Sequence, residues 1–285
     1  VVVTGTSTDK SSLTGTSVSV DADAKEGISS LLIAASGAQY AAVSASVNVN
    51  RQLSDVSAAV DQTEVLGSFA QNANYLGRIT TSAITAAGSQ YAAVPISVVI
   101  NYADNAVSSS VAHSILRAEG QSASVGANRI SEFSSLNVTA SGAMYGAAAG
   151  LVNVNTIEGA TSAEVNDSEV KAGQFSVNAE NEDHLKVTDV TATGAIGSLG
   201  ASVVVSYFKG SSAANLRNSI VTADKLTVSS LQDHYVNGTV AFASGGIGTI
   251  GANVFSLVIG SRDNPFASNR QDLGSAEDTV NKYLS

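Results

Sequence analysis

Two pairs of carboxylates have the spacing that chemistry would need. "DADAKE" (21–26) carries Asp21 and Asp23, and "AENED" (179–183) carries Glu180 and Glu182. Residues two apart on a strand point to one side, so each pair would present its carboxylates together. A hard cation such as calcium needs several converging oxygens, which makes Asp21, Asp23, Glu180 and Glu182 the candidate ligands. Cleavage of a glycosidic bond needs two carboxyls at a fixed separation. Against both, the two clusters follow the same recurring phrase and read as solvated turns. The calcium nonapeptide GGxGxDxUx is absent, and no cluster of aromatic residues offers a sugar-binding groove.

The other chemical signals dissolve in the same way. His184 and His234 each follow an Asp, in "DHL" and "DHY", which suggests an Asp–His pair. They lie 50 residues apart, so repetition accounts for them. "GIGTIG" (246–251) is formally GxGxxG, but a dinucleotide site needs it between a strand and a helix. Here "ANVFSLVIG" follows, and the preceding passage reads "GAIGSLG" in the same place. The chain has three His and no Cys, a poor basis for zinc, and neither GxSxG nor HExxH occurs. The expectation is a chain without catalytic residues or cofactor, not an enzyme.

What positions these residues is a repeat. "GAQYAAVSASVNVN" (37–50) returns as "GSQYAAVPISVVIN" (88–101) and "GAMYGAAAGLVNVN" (142–155), then as "GAIGSLGASVVVSY" (194–207) and "GGIGTIGANVFSLV" (245–258). Gly37, Gly88, Gly142, Gly194 and Gly245 anchor one column. Tyr40, Tyr91 and Tyr145 form a second, which becomes Gly197 and Gly248. A second phrase, anchored on Ser11, Thr63, Ser114, Ser168 and Ser219, keeps the same period of about 52 residues. Five such units fill residues 1–260, with bounds at about 1–29 (partial), 30–79, 80–130, 131–183, 184–233 and 234–260 (partial). Residues 261–285 depart from the repeat; Ser275 and Asp278 there suit the start of a short helix.

Inside each unit, apolar and polar residues alternate with period two, as in "VSASVNVN", so the units read as strands. The predicted fold is all-β, a parallel β-helix (β-solenoid); a β-propeller is the alternative. With coils of roughly 20–30 residues each unit makes two coils, and ten coils at about 4.8 Å give a rod about 50 Å long. Val, Ile and Leu are expected to stack inward and Ser, Thr and Asn to cover the surface. Glycines are expected to turn the corners with positive φ. Asn50, Asn101 and Asn155 are expected to form a hydrogen-bonded ladder. Pro95 shares a column with Ser44, which places that column at a corner or outward edge.

Composition bounds the partners. Of 285 residues, 44% are hydrophobic, 13% charged and 5% aromatic, with no Trp. The net charge of −10 argues against nucleic acid or an anionic membrane. No uncharged apolar run has the length of a membrane helix, so direct membrane insertion is not expected. The chain opens mid-phrase on Val1, as a section of something longer would.

The order of these phrases, Gly/Ala-rich into "ASVNVN" or "GLVNVN", then "TSAEVNDSEVKAG", then "FSVNAEN", resembles the repeats of large secreted bacterial exoproteins. These are the filamentous-haemagglutinin-like adhesins and, most closely, the leukotoxin-type exoproteins. The resemblance runs from about residue 10 to 260. It implies a β-helical passenger exported across an outer membrane and displayed at the bacterial cell surface, extracellular, and engaged in adhesion or host-cell damage. The expected role is a rigid stalk or adhesin passenger, with a cytotoxin section or a polysaccharide-processing enzyme as alternatives. Expected partners are a ligand on a host or neighbouring cell and other copies, end to end or laterally.

Overall fold

A computed structural model describes residues 1–6 and 10–260. The chain is a two-sided parallel β-solenoid. A short β1 (Val2–Thr4) is followed by long strands of alternating length: β2 (Ser11–Ala38), β3 (Ala41–Asp61), β4 (Thr63–Ser89), β5 (Ala92–Ala112), β6 (Ile115–Gly142), β7 (Gly146–Asn166), β8 (Glu169–Gly194), β9 (Gly197–Arg217), β10 (Ile220–Gly245) and β11 (Gly248–Ile259). The even strands form one sheet, in the order β2-β4-β6-β8-β10. The odd strands form the other, in the order β1-β3-β5-β7-β9-β11. All neighbours within a sheet are parallel and nearly in register.

One unit therefore makes one coil, not two. The chain runs the length of the even sheet, reverses, and returns along the odd sheet. The 28 residues of β2 span about 90 Å, while five coils stack to only about 24 Å. The molecule is a wide, shallow slab rather than a 50 Å rod. The unit bounds read from sequence fall inside the even strands, so they count the same coil from a different starting point.

The two long edges of the slab differ. At the turn edge, even strands pass to odd strands beside Tyr40, Tyr91 and Tyr145. At the corner edge, odd strands pass to even ones at Gln62, His113, Asp167 and Asn218, which all sit in the left-handed region with φ of 47–50°. Glycine takes none of these corners, contrary to the sequence expectation. A hydroxyl ladder holds them instead. The Thr63, Ser114 and Ser168 amides donate to the hydroxyls of Ser114, Ser168 and Ser219 in the next coil, each at 3.1 Å. Ser114 and Ser168 return a hydrogen bond to the carbonyl two residues back, at 2.6 and 2.7 Å. Losing one such acceptor strands a buried N–H, which costs about 1–3 kcal/mol. This is why the second sequence landmark is a column of Ser and Thr.

Local insertions explain the uneven period. Between Leu66 and Phe69 the register of β4 on β6 shifts, because β6 carries extra residues around Glu119–Gln121. A stack of bulges runs through this level. Gly67 (φ +119°) passes so close to Gly15 that any Cβ would strike its carbonyl.

The interior changes character along the slab. Near the corner edge it is aliphatic and aromatic, built on Val60, Val65, Phe69, Val111, Leu116, Val165, Val170 and Phe175. A smaller apolar cluster of Ile79, Phe133, Ile157, Leu185 and Phe208 follows. From there to the turn edge Ser, Thr and Asn predominate among the buried side chains, with Val99, Leu151, Val204 and small alanines such as Ala42, Ala87 and Ala93 between them.

Candidate functional site

The acidic pairs lie mid-strand on the outer face of the even sheet, not in turns. Asp23 and Glu180 share a column, three rungs apart, through Asn74 and Asn128. Each Asp is already engaged: Asn72 donates to Asp21 at 2.9 Å and Asn74 donates to Asp23 at 2.7 Å. Hydrogen bonds from Ser19 and then Asn72 hold the Asp21 carboxyl below its usual range, so it does not keep a proton to give to a leaving group. Among the described residues, no three acidic or His side chains converge on one point.

The two histidines do not share a column. His234 pairs with Asp183, and His184 with Tyr235. A slip of one residue turns every side chain to the other face. His184 therefore points outward, its ring 5.9 Å from that of Tyr235, while His234 points inward. "GIGTIG" lies at the turn into β11 and leads into a strand, the repeat's own geometry and not that of a pyrophosphate site. Pro95 is buried as the fourth residue of β5. The ladder to β7 passes from Ala93–Ala147 to Ile96–Gly150 and skips it. The missing N–H is tolerated by interrupting the pairing, and the column, just inside the strand, faces inward with Ser44 rather than outward.

A buried ionic site has no sequence signal beyond its residue types. Arg129 and Asp183 are both fully buried. The guanidinium meets Asp183 at 3.0 and 3.3 Å, donates to Asn181 Oδ1 at 2.8 Å and to the Glu158 carbonyl at 2.8 Å. Burial pulls the Arg129 guanidinium below its ordinary range, and Asp183 opposes that. His234 Nδ1 lies 3.1 Å from the other side of Asp183. Arg129 lies on β6, Asn181 and Asp183 on β8, Glu158 on β7 and His234 on β10, so the cluster staples coils together. Ser131, two residues along β6, accepts a further hydrogen bond from the guanidinium at 3.3 Å.

The expected Asn ladder is present and belongs to the polar interior. Asn50 donates to Asn101 at 2.9 Å, and Asn101 to Asn155 at 2.8 Å. Thr81 donates to Asn101 Oδ1 as well. Deeper in the same zone, Asn137 and Asn153 donate to Asp189, yet burial still pushes that carboxyl up to about 6. The folded protein thus keeps a proton there that the unfolded chain releases above about pH 4. Stability is expected to fall as pH rises from about 4 to 6, by about 3 kcal/mol, and to change little from this group above that. Asp189→Asn removes the penalty, and its amide can reach Asn137 Oδ1, which is buried without a partner among the described residues. In urea titrations the variant should be about 2–3 kcal/mol more stable than the parent at pH 7.5 and equal to it at pH 4. Equal stabilities at pH 7.5 would contradict this.

With polar groups turned inward, the aliphatic ones face out. On the odd sheet, four outward rows cross the slab. They are Val43–Val94–Ala148–Leu199–Ile250, Ala45–Ile96–Gly150–Ala201–Ala252, Val47–Val98–Val152–Val203–Val254 and Val49–Ile100–Val154–Val205–Ser256. Val47 is 64% exposed and Val49 62%. This overturns the expected polar surface. The stacked rings of Tyr40, Tyr91 and Tyr145, centroids 5.5 and 5.4 Å apart, bound the patch at the turn edge; their column continues as Ile196 and Ile247, because the later turns are one residue shorter, and Gly197 and Gly248 stack on Gly146 instead. At its other end stand Arg51, over the Tyr102 ring at 5.5 Å, and Tyr207. Burial and then the neighbouring Glu158 push the Tyr102 phenol up to about 12, and it donates to Glu158 at 3.1 Å. The Gly37–Gly88–Gly142–Gly194–Gly245 column is in register; no close contact or positive φ there explains its glycines.

Comparison with known proteins adds no relative. No family model matches the chain, and no curated protein or solved structure matches it.

Proposed function

We propose that this chain is a rigid structural and adhesive section of a secreted, surface-displayed bacterial exoprotein. The observation that carries the reading is the in-register stacking of five coils, fixed by hydroxyl and amide ladders across successive rungs. Such a stack yields a stiff body with long, flat, repetitive faces, suited to holding or presenting contacts rather than to turning over a substrate. The repeat phrases that resemble leukotoxin-type and filamentous-haemagglutinin-like exoproteins supply the cellular setting. Mammalian cells incubated with the purified protein test it. The reading expects saturable binding without release of cytosolic enzyme. Release of cytosolic contents would replace it with a cytotoxin section, and shortening of an added polysaccharide with an enzyme.

A further inference from the structure

The aliphatic face is too large and too regular to be incidental. Its five strands and roughly ten residues per strand cover about 33 Å by about 24 Å, close to 800 Å². The largest apolar patch on a typical monomer is about 300–600 Å². No charged residue occurs in 41–50, 92–101, 146–155, 197–206 or 248–257, the stretches that build it. All of the net charge lies elsewhere, so two such faces can approach without opposing carboxylates.

We propose that this face is an interface between two copies of the chain, packed sheet against sheet. An interface of standard size takes about 800 Å² from each partner, which the face supplies. Its rows of Val and Ile, interrupted by Ala and Gly at the Ala45–Ala252 row, form the ridges and grooves that two sheets interdigitate at about 10 Å. Tyr40, Tyr91, Tyr102 and Tyr207 rim it, the residue type that interfaces favour. Beyond the Arg51 row the same sheet carries Asp55, Asp104, Glu158 and Glu164, the last two paired with Lys209 and Arg217. A two-fold axis along the stacking direction overlaps the turn-edge halves and points these charged halves away from each other. The opposite face is mixed: at the same depth the row Leu31, Ser82, Leu136, Thr188 and Thr239 lies between Lys186 on one side and the aliphatic row Ile33, Ile84, Val138, Val190 and Ala241 on the other. A lipid bilayer is disfavoured as occupant of the odd face because the same sheet continues into the charged rows beyond Arg51. A bilayer would also meet the unpaired backbone along the sheet edges, which hydrocarbon does not tolerate.

This inference stands apart from the adhesive reading and is tested without cells. Sedimentation equilibrium of the intact chain at micromolar concentration should give twice its 28.6 kDa mass. Val98→Asp and Val152→Asp, at the centre of the face, should weaken association more than 100-fold with the circular dichroism unchanged. Val98→Ser and Val152→Ser give a milder version should either Asp variant fold poorly, and are expected to weaken it about tenfold. Val138→Asp, on the other sheet, should leave the dimer intact. A monomer at all concentrations up to about 100 μM, or a dimer unaffected by all four replacements on the face, overturns the proposal. So does flotation with neutral phosphatidylcholine vesicles that the same four replacements abolish, which would assign the face to lipid.

Discussion

Replacing Arg129 by Met should cost about 3–5 kcal/mol, because it leaves the Asp183 carboxylate buried without its counter-charge. Asp183 is fully buried, and besides Arg129 it has the Asn181 amide 3.4 Å away and His234 Nδ1 3.1 Å away. The guanidinium also serves the Glu158 carbonyl and Asn181 Oδ1, and Met brings no donor to either. For a chain of this size the melting temperature would fall by roughly 6–20 °C. The double replacement Arg129→Met with Asp183→Leu removes both charges, and its cost should drop below that of the single, to about 2 kcal/mol, the low end for a stranded amide oxygen and carbonyl. The cycle separates two explanations. If the single variant loses less than 1 kcal/mol, the pair does not hold the coils together. If the double variant is worse than the single, packing and not charge dominates the site.

The second large effect comes from the polar interior. Asn101→Leu should cost about 3–5 kcal/mol. It takes an acceptor from Asn50 and from Thr81 and a donor from Asn155, three buried groups at about 1–3 kcal/mol each, partly re-paired among themselves. Leu136→Thr, on the outer face of the even sheet at a similar depth, should change stability by no more than about 0.5 kcal/mol, because Leu136 is already 46% exposed. An ordinary β-sandwich would give the opposite result, with the aliphatic change costly and the amide change mild. Denaturant titration of the two variants therefore reads out directly which face of each strand points inward.

Much of the architecture was legible because stacking is written into columns. Gly37, Gly88 and their successors, and Ser114, Ser168 and theirs, marked the period and the two ends of each strand. Alternation marked the strands. What alternation does not carry is the sign of the face, since a period of two looks the same with either set inside. Valines at 47, 98, 152, 203 and 254 read as core and proved to be surface, while Asn50, Asn101 and Asn155 proved to be core. Charge placement was the available hint. The stretches around the turn edge carry no charge on either face apart from Asp189, so a polar interior there could be built wholly from amides and hydroxyls. Coil number was misjudged because a strand of 28 residues is far longer than the usual 3–10. His184 and His234 looked equivalent at 50 residues apart, but the local period is 51, and that single residue separates a surface ring from a buried one. Arg129 left no pattern. Its column reads Tyr75, Arg129, Asn181, so the repeat itself does not foretell it, and its partner Asp183 lies in the next coil.

The buried ladders, the aliphatic face and the slab shape all depend on each passage of about 52 residues making a single coil in register with the next. The chain has no native Cys, so spin labels at Asp21→Cys and Ser229→Cys measure this cleanly by pulsed electron paramagnetic resonance. The two sites share one exposed column of the even sheet, linked through Asn72, Gly126 and Asn178, and stand four rungs apart. The expected backbone separation is about 19 Å, as one narrow distribution. A separation near 38 Å, as two coils per passage would require, or a broad spread of distances, would contradict the fold described here.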